Sequence, residues 1–297
     1  MPHFGRLLSA MVTPFDAAGA VDYDVAQRLA RHLVTEGHDG LVICGTTGES
    51  PTLSDDEKLG MFAAVMEAVD VPVIAGTVGY NTAHSVDLSQ QAAKLGVHGI
   101  LSLCPFYSRP SQAGIEAHFR AIADAAGIPL LVQDSPQVTG VPLDVPTLVA
   151  MHDAHPLIGA VKSEIPGAGA KASAIHEAGL ELVAGWGGLN YLEQVERGAV
   201  GCFPGCDLGP AIKTIDTAAR TGDRHGAQQL YRAILPFLSL ATASLDLLLL
   251  TAKRHMRRRG LFSSEALRAP ARTLDPQESR TVDALLDELT ALETPGF

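Results

Sequence analysis

Gly37-His38-Asp39-Gly40-Leu41-Val42-Ile43-Cys44-Gly45-Thr46-Thr47-Gly48-Glu49-Ser50 holds one complete structural step. A helix-like segment precedes it. Gly37 supplies the left-handed residue that closes a helix, and Gly40 lets the chain turn into a strand. Leu41 to Cys44 is a short, continuous apolar run, as a strand buried on both faces requires. A glycine-flanked polar turn follows. The step recurs: Gly96-Val97-His98-Gly99 precedes Ile100-Leu101-Ser102-Leu103, and Gly198-Ala199-Val200-Gly201 precedes Cys202-Phe203. Val71-Pro72-Val73-Ile74-Ala75 and Ile128-Pro129-Leu130-Leu131-Val132 are two more apolar runs, each with proline at strand entry.

Strands are predicted at roughly 6–12, 40–45, 72–77, 99–104, 129–134, 157–162, 181–186 and 199–204, with helical segments between them. The helix over 54–69 is marked by Ser54-Asp55-Asp56-Glu57, a capping box. Eight β–α alternations predict an α/β fold of the (β/α)8 TIM-barrel type over residues 1–209. Residues 210–297 show no strand-like alternation and are expected to be a helical extension packed on the barrel. A doubly wound open sheet is the competing arrangement, but no G-x-G-x-x-G follows the first strand.

Composition narrows the partners. Of 297 residues, 46% are hydrophobic and only 5% aromatic, which suits a large aliphatic core. The net charge of −11 and the lack of a basic tract with interleaved aromatics argue against nucleic acid. The run Lys253-Arg254-His255-Met256-Arg257-Arg258-Arg259 reads as a charged helix end, favourable to the macrodipole. Ile234 to Leu250 is the most apolar stretch, yet Pro236, Asp246 and several hydroxyls make it a buried helix and not a membrane span. Cys44, Cys104, Cys202 and Cys206 are expected as reduced thiols in a cytoplasm, because no secretory h-region opens the chain. Cys202-x-x-x-Cys206 lacks a second ligand pair, so no metal is expected.

The chemistry starts from Ile158-Gly159-Ala160-Val161-Lys162-Ser163-Glu164. Residues i and i+2 of a strand share a face, so Lys162 and Glu164 point together. A lysine on a buried face tends toward the neutral amine, the nucleophile that forms a Schiff base with a ketone. The ordinary alternative is a solvated ion pair. In a barrel the strand C-termini open into the active site. There this sequence places Gly45-Thr46-Thr47-Gly48-Glu49-Ser50, Cys104-Pro105-Phe106-Tyr107-Ser108-Arg109-Pro110-Ser111, Gln133-Asp134-Ser135-Pro136, Gly185-Trp186-Gly187-Gly188 and Pro204-Gly205-Cys206-Asp207. The Thr46-Thr47 turn, with two hydroxyls and several backbone N–H groups, is a suitable cradle for a carboxylate.

With the lysine strand, these blocks resemble the dihydrodipicolinate synthase/N-acetylneuraminate lyase superfamily. Gly45 to Ser50 carries its G-T-T-G-E-S, and Pro105 to Gln112 is similar to its P-Y-Y-N-R-P-S-Q. The resemblance implies a class I lyase that needs no cofactor and works as a homo-oligomer, dimer or tetramer. It implies a lysine imine with pyruvate or another 2-keto acid at Lys162, and a carboxylate bound by Thr47 with Thr46 beside it. It also implies that Tyr107 crosses a dimer interface into a neighbouring site.

Three departures shape the expected activity. The acid/base tyrosine of the family pattern is Gln133 here, and its substrate-binding arginine is Val138. Glu164 stands where the family has none and is expected to take over proton transfer. The candidate catalytic residues are therefore Lys162, Glu164 and Tyr107. The candidate substrate-binding residues are Thr46, Thr47, Gln133, Gly185 and Phe203. The expected reaction is aldol cleavage, condensation or dehydration of a 2-keto-3-deoxy acid. The alternatives are a dihydrodipicolinate synthase with a rebuilt proton relay, and a non-catalytic keto-acid-binding barrel. Asp134 should face away from the lumen if Gln133 faces in. His38, His84 and His98 are expected to be structural, Trp186 to wall the pocket or pack beneath a loop, and Asp207 is a lesser substrate candidate.

Overall fold

A computed structural model describes residues 4–165, 167 and 169–293. The expected barrel start at residue 1, Pro166 after the lysine strand and the end of the extension at 297 lie outside the described residues.

Eight parallel strands follow one another in sequence order: β1 (Leu8–Ala10), β2 (Gly40–Ile43), β3 (Val73–Gly76), β4 (Gly99–Leu103), β5 (Leu130–Asp134), β6 (Ile158–Ser163), β7 (Glu181–Ala184) and β8 (Gly201–Cys202). Parallel bridges Leu7 to Cys202 and Ala10 to Gly205 join the last strand to the first. The sheet is thus a TIM barrel, as expected. Eight helices fill the crossovers: α1 (Tyr23–Thr35), α2 (Asp55–Ala68), α3 (Thr82–Lys94), α4 (Gln112–Ala126), α5 (Pro136–Thr139), α6 (Val145–Ala154), α7 (Gly169–Glu177) and α8 (Tyr191–Glu196). The capping box forms: Ser54 Oγ accepts from Glu57 N–H at 3.2 Å, and Glu57 Oε2 accepts from Ser54 N–H at 2.9 Å.

The outer strands are shorter than predicted. The expected 199–204 strand reduces to Gly201–Cys202, because Pro204 has no N–H to give the ladder. The paired glycines do two different jobs. Gly37, Gly96 and Gly198 are left-handed, as helix closure requires. Gly40, Gly99 and Gly201 are needed for close approach: a Cβ would stand 2.9 Å from Pro72 O, 2.9 Å from Phe4 Cζ and 2.3 Å from Arg6 O respectively.

Strand alternation creates two cores. Leu8, Val42, Ile74, Leu101, Leu131, Ala160, Val183 and Phe203 plug the barrel interior. Leu41, Ile43, Val73, Ile100, Val132, Val161 and Leu182 face outward to the helices. Ala160 faces in and Val161 out, so Lys162 faces in. The same period places Gln133 in the lumen, two residues beyond Leu131.

Four more helices follow β8: α9 (Gly209–Arg220), α10 (Arg224–Ala241), α11 (Leu245–Arg258) and α12 (Pro276–Glu293). Ile212, Ile215, Phe237, Leu238, Leu286 and Leu289 bury a third core with Leu7 and Tyr191 of the barrel. The single helix expected over Ile234–Leu250 is two helices, bent by 119° at residues 242–244. Hydroxyls explain the break. Thr242 Oγ1 donates to Leu238 O at 2.6 Å, and Ser244 Oγ accepts from Leu247 N–H at 3.2 Å to start α11. Among the described residues, no single helix is long and apolar enough to cross a membrane.

The basic run is a charged helix end, as expected, with Arg257 and Arg258 in the last turn of α11, but its first part is buried. Lys253, Arg254 and His255 are buried. Arg254 and Arg257 pair with Glu265, Arg258 with Asp287 and Arg259 with Glu36, at 2.9 Å for the last. The run fastens α11 to the barrel and to α12.

Candidate active site

Lys162 and Glu164 sit together at the top of β6, 4% and 6% exposed. Their side chains form an ion pair, with Lys162 Nζ 2.9 Å from Glu164 Oε1. Three further donors close on the carboxylate group and its backbone. Gln133 Nε2 donates to Oε2 at 2.6 Å, the Trp186 N–H donates to Oε1 at 3.2 Å, and Gln137 Nε2 donates to the Glu164 carbonyl. Burial pushes the Glu164 carboxyl upward. The Lys162 charge, with hydrogen bonds from Gln133 and Lys162, outweighs it and holds the carboxyl below its ordinary value.

Local backbone explains the convergence. Gln133 and Lys162 are register partners on β5 and β6. Gly185 leaves room for the glutamate, since a Cβ there would lie 2.4 Å from Glu164 Cγ. Trp186 is left-handed (φ 50°), which turns its N–H onto the carboxylate. The Phe203 ring lies beneath the amine, its centroid 5.6 Å from Lys162 Nζ. Lys162, Glu164, Gln133, Gly185 and Phe203 are therefore one cluster. The contacts of Gln137 and Trp186 N–H were not anticipated; the glycines beside Trp186 were the one available sign of a tight approach there.

Thr46 and Thr47 lie in the turn after β2, with Thr47 buried. The turn closes through Gly48 N–H to Gly45 O (3.0 Å), Glu49 N–H to Thr46 O (3.1 Å) and Ser50 N–H to Gly45 O (3.3 Å). These N–H groups are spent inside the turn, so the expected cradle narrows to the two threonines themselves. Cys44 (φ 51°) and Glu49 (φ 55°) are left-handed non-glycine residues at its two ends.

Tyr107 stands apart from this cluster. Its side chain is 90% exposed, on the loop that carries the chain from β4 out to α4. Asp134 faces outward as expected, pairing with Lys171 and accepting from Leu143 N–H at 3.4 Å. His38 Nδ1 lies 2.9 Å from Leu33 O, and His98 Nδ1 accepts from Val73 N–H at 3.1 Å. Both serve the scaffold. His84 pairs with Asp55 at 2.8 Å and lines a separate cavity of about 260 Å³ outside the lumen, with Ser50, Tyr80 and Phe106. Asp207 is buried against Gly205.

Sequence reasoning also missed the support of the threonine turn. Glu49 is 4% exposed and its Oε1 pairs with Lys253 Nζ at 2.5 Å. Its Oε2 accepts from Arg268 N–H at 3.0 Å. Lys253 and Arg268 both lie over the Phe15 ring, 4.2 and 4.4 Å from its centroid. Burial pushes the Lys253 ammonium down in spite of Glu49. Removing one partner of such a buried pair costs about 3–5 kcal/mol, whereas removing both is far milder. Lys253→Met should lose that much in urea unfolding, and Glu49→Gln with Lys253→Met should recover most of it. A single variant within about 0.5 kcal/mol of the parent would show that the pair does not hold the turn.

A parallel barrel that gathers a buried lysine, an adjoining carboxylate and a threonine turn at its strand C-termini has the layout of an enzyme site, and the likeness to known proteins places the enzyme in the lyase class. The sequence model of the dihydrodipicolinate synthetase family matches residues 3–289, and the chain belongs to that family. It is 42% identical over 280 residues to the Streptomyces coelicolor 4-hydroxy-tetrahydrodipicolinate synthase 2, covering 93% of this chain and 92% of that one. It is 44% identical over 237 residues to the Acidothermus cellulolyticus 4-hydroxy-tetrahydrodipicolinate synthase, covering 78% and 76%. Among solved structures, the Cyanidioschyzon merolae dihydrodipicolinate synthase with lysine bound superposes with a TM-score of 0.91 at 30% identity, covering 97% and 98%. A Bacillus anthracis dihydrodipicolinate synthase gives 0.89 at 30%, covering 97% and 99%.

Proposed function

We propose that this chain is a class I lyase that holds a 2-keto acid as an imine on Lys162 and acts on 2-keto-3-deoxy acids by dehydration or aldol cleavage. The observation that carries the reading is the Gln133–Glu164–Lys162 cluster, in which one carboxylate spans the amine and the amide. Residues 1–209 supply this site, and 210–297 support it from outside through Lys253.

The proton movements balance on Glu164. Lys162 passes a proton to the carboxylate and attacks the ketone carbon. The alkoxide so formed takes a proton from the attached nitrogen, and the protonated Glu164 returns its proton to that carbinolamine hydroxyl, which leaves as water and gives the iminium. The iminium draws electrons from C3, and the regenerated carboxylate removes the C3 proton. In dehydration the C4 hydroxyl then departs as water with that proton. In aldol cleavage the base instead takes the C4 hydroxyl proton, and the C3–C4 bond breaks to enamine and aldehyde. Thr47, with Thr46, binds the keto-acid carboxylate. Tyr107, exposed in the single chain, fits delivery into another copy's site, so a homo-oligomer is part of the proposal.

The named relatives favour a second reading, a 4-hydroxy-tetrahydrodipicolinate synthase with a rebuilt relay. Val138 separates the two, because an apolar side chain cannot hold the second substrate's carboxylate as a guanidinium does. The test is a side-by-side turnover assay. Condensation of pyruvate with aspartate semialdehyde should be weak, Val138→Arg should raise it, and a panel of 2-keto-3-deoxy acids should include a good substrate. Efficient condensation by the unmodified enzyme would overturn the first reading in favour of the second.

A further inference from the structure

The contact between Gln133 and Glu164 fixes which way round the glutamine amide lies. An ionised carboxylate only accepts, so the end 2.6 Å from Glu164 Oε2 is the NH2 group. The carbonyl Oε1 is then the end left for something else. Gln133 is 1% exposed, and among the described residues nothing in the protein donates to Oε1. Buried side-chain oxygens without a donor are uncommon and costly. This one is on the lumen face of β5, in register with Lys162 on β6. The Gln133 amide and the amine to which the substrate carbon attaches hold opposite oxygens of the one Glu164 carboxylate.

We propose that Gln133 Oε1 determines specificity by accepting a hydrogen bond from the C4 hydroxyl of a 2-keto acid held on Lys162. The proposal rests on the Schiff-base reading above. The chemistry is one-sided. A locked carbonyl oxygen has no proton to offer, so it selects a donor and disfavours a carboxylate or ketone at the same place. It also sets the hydroxyl next to Glu164, because the other end of the same amide is bound to that carboxylate. The hydroxyl that must leave, or give up its proton, is thereby held beside the group that exchanges protons with it.

A matched pair of ligands tests this: 2-oxo-4-hydroxypentanoate, as both enantiomers, against 2-oxopentanoate, which lacks only the hydroxyl. The readout is the concentration of each that gives half-maximal borohydride-trapped adduct at Lys162. The unmodified enzyme should prefer one hydroxylated enantiomer by about tenfold to a hundredfold, the worth of a buried acceptor satisfied against unsatisfied. Gln133→Met should remove that preference, leaving the hydroxylated and unhydroxylated ligands with equal half-maximal concentrations whatever its overall trapping rate. Gln133→Asn, which withdraws the oxygen by one methylene, should reduce it and guards against a misfolded methionine variant. Equal half-maximal concentrations in the unmodified enzyme, or a preference that survives in Gln133→Met, would overturn the proposal and leave the Schiff-base reading standing. No adduct with any of the ligands, pyruvate included, would overturn both.

Discussion

Glu164→Gln should lower turnover by about 10²–10⁴-fold, the range that general acid–base catalysis supplies. The substitution nearly preserves volume and removes the base. The Trp186 N–H and Gln133 Nε2 bind opposite oxygens of the carboxylate, so a glutamine keeps its carbonyl toward Trp186 and Gln133 turns its own amide over to accept from the new NH2 group. Lys162 loses its partner charge, and the imine should still trap, but more slowly. The pH dependence separates chemistry from packing. In the unmodified enzyme the carboxyl lies below its ordinary value, so the charged form persists into mild acid. Activity that needs the carboxylate should hold above the ordinary carboxylate range and fall only as pH drops through the depressed value. The stability contributed by the ion pair has the same sign, because the folded-state value is depressed: it is present above the unfolded value and lost toward acid. The glutamine variant should lack this acid limb in kcat/KM. Normal turnover with an unchanged pH profile would reduce Glu164 to a structural partner of Lys162.

Lys162→Ala should have the largest effect, with no turnover above background and no trapped adduct. The removal also strands the Glu164 charge in a site that is 6% exposed. Breaking such a pair costs about 3–5 kcal/mol, so loss of activity alone would be ambiguous. Lys162→Arg resolves it. A guanidinium keeps the positive charge opposite Glu164 but forms no imine with a ketone. The arginine variant should fold normally, with an unfolding midpoint near that of the parent, and should be as inactive as the alanine variant. Residual turnover in folded Lys162→Arg would mean that chemistry proceeds without covalent attachment.

The barrel and its lysine were legible because strand alternation is a strict period. Ala160, Lys162 and Glu164 share a face whatever else the chain does, and the same rule put Gln133 inside and Asp134 outside. The helix starts were legible where side chains cap their own backbone, as at Ser54. What escaped depends on contacts between distant segments. The run from Lys253 to Arg259 looks like a helix end along the chain, yet its partners Glu49, Glu265 and Glu36 come from three other places. The bend after α10 escaped because the apolar stretch is continuous, and only hydroxyls at Thr242 and Ser244 mark the break. The N–H groups of Gly48, Glu49 and Ser50 were counted as free when they close the turn itself. Tyr107 shows a different limit: its ring faces solvent in one chain, and any role in the chemistry belongs to an assembly.

The proposed mechanism turns on a covalent bond between Lys162 and a 2-keto acid. The direct measurement is incubation of the unmodified protein with pyruvate and borohydride, followed by intact mass and peptide mapping. One reduced three-carbon adduct per chain is expected, located on Lys162. An adduct on Lys94 or Lys171, or none with any 2-keto acid, would contradict it.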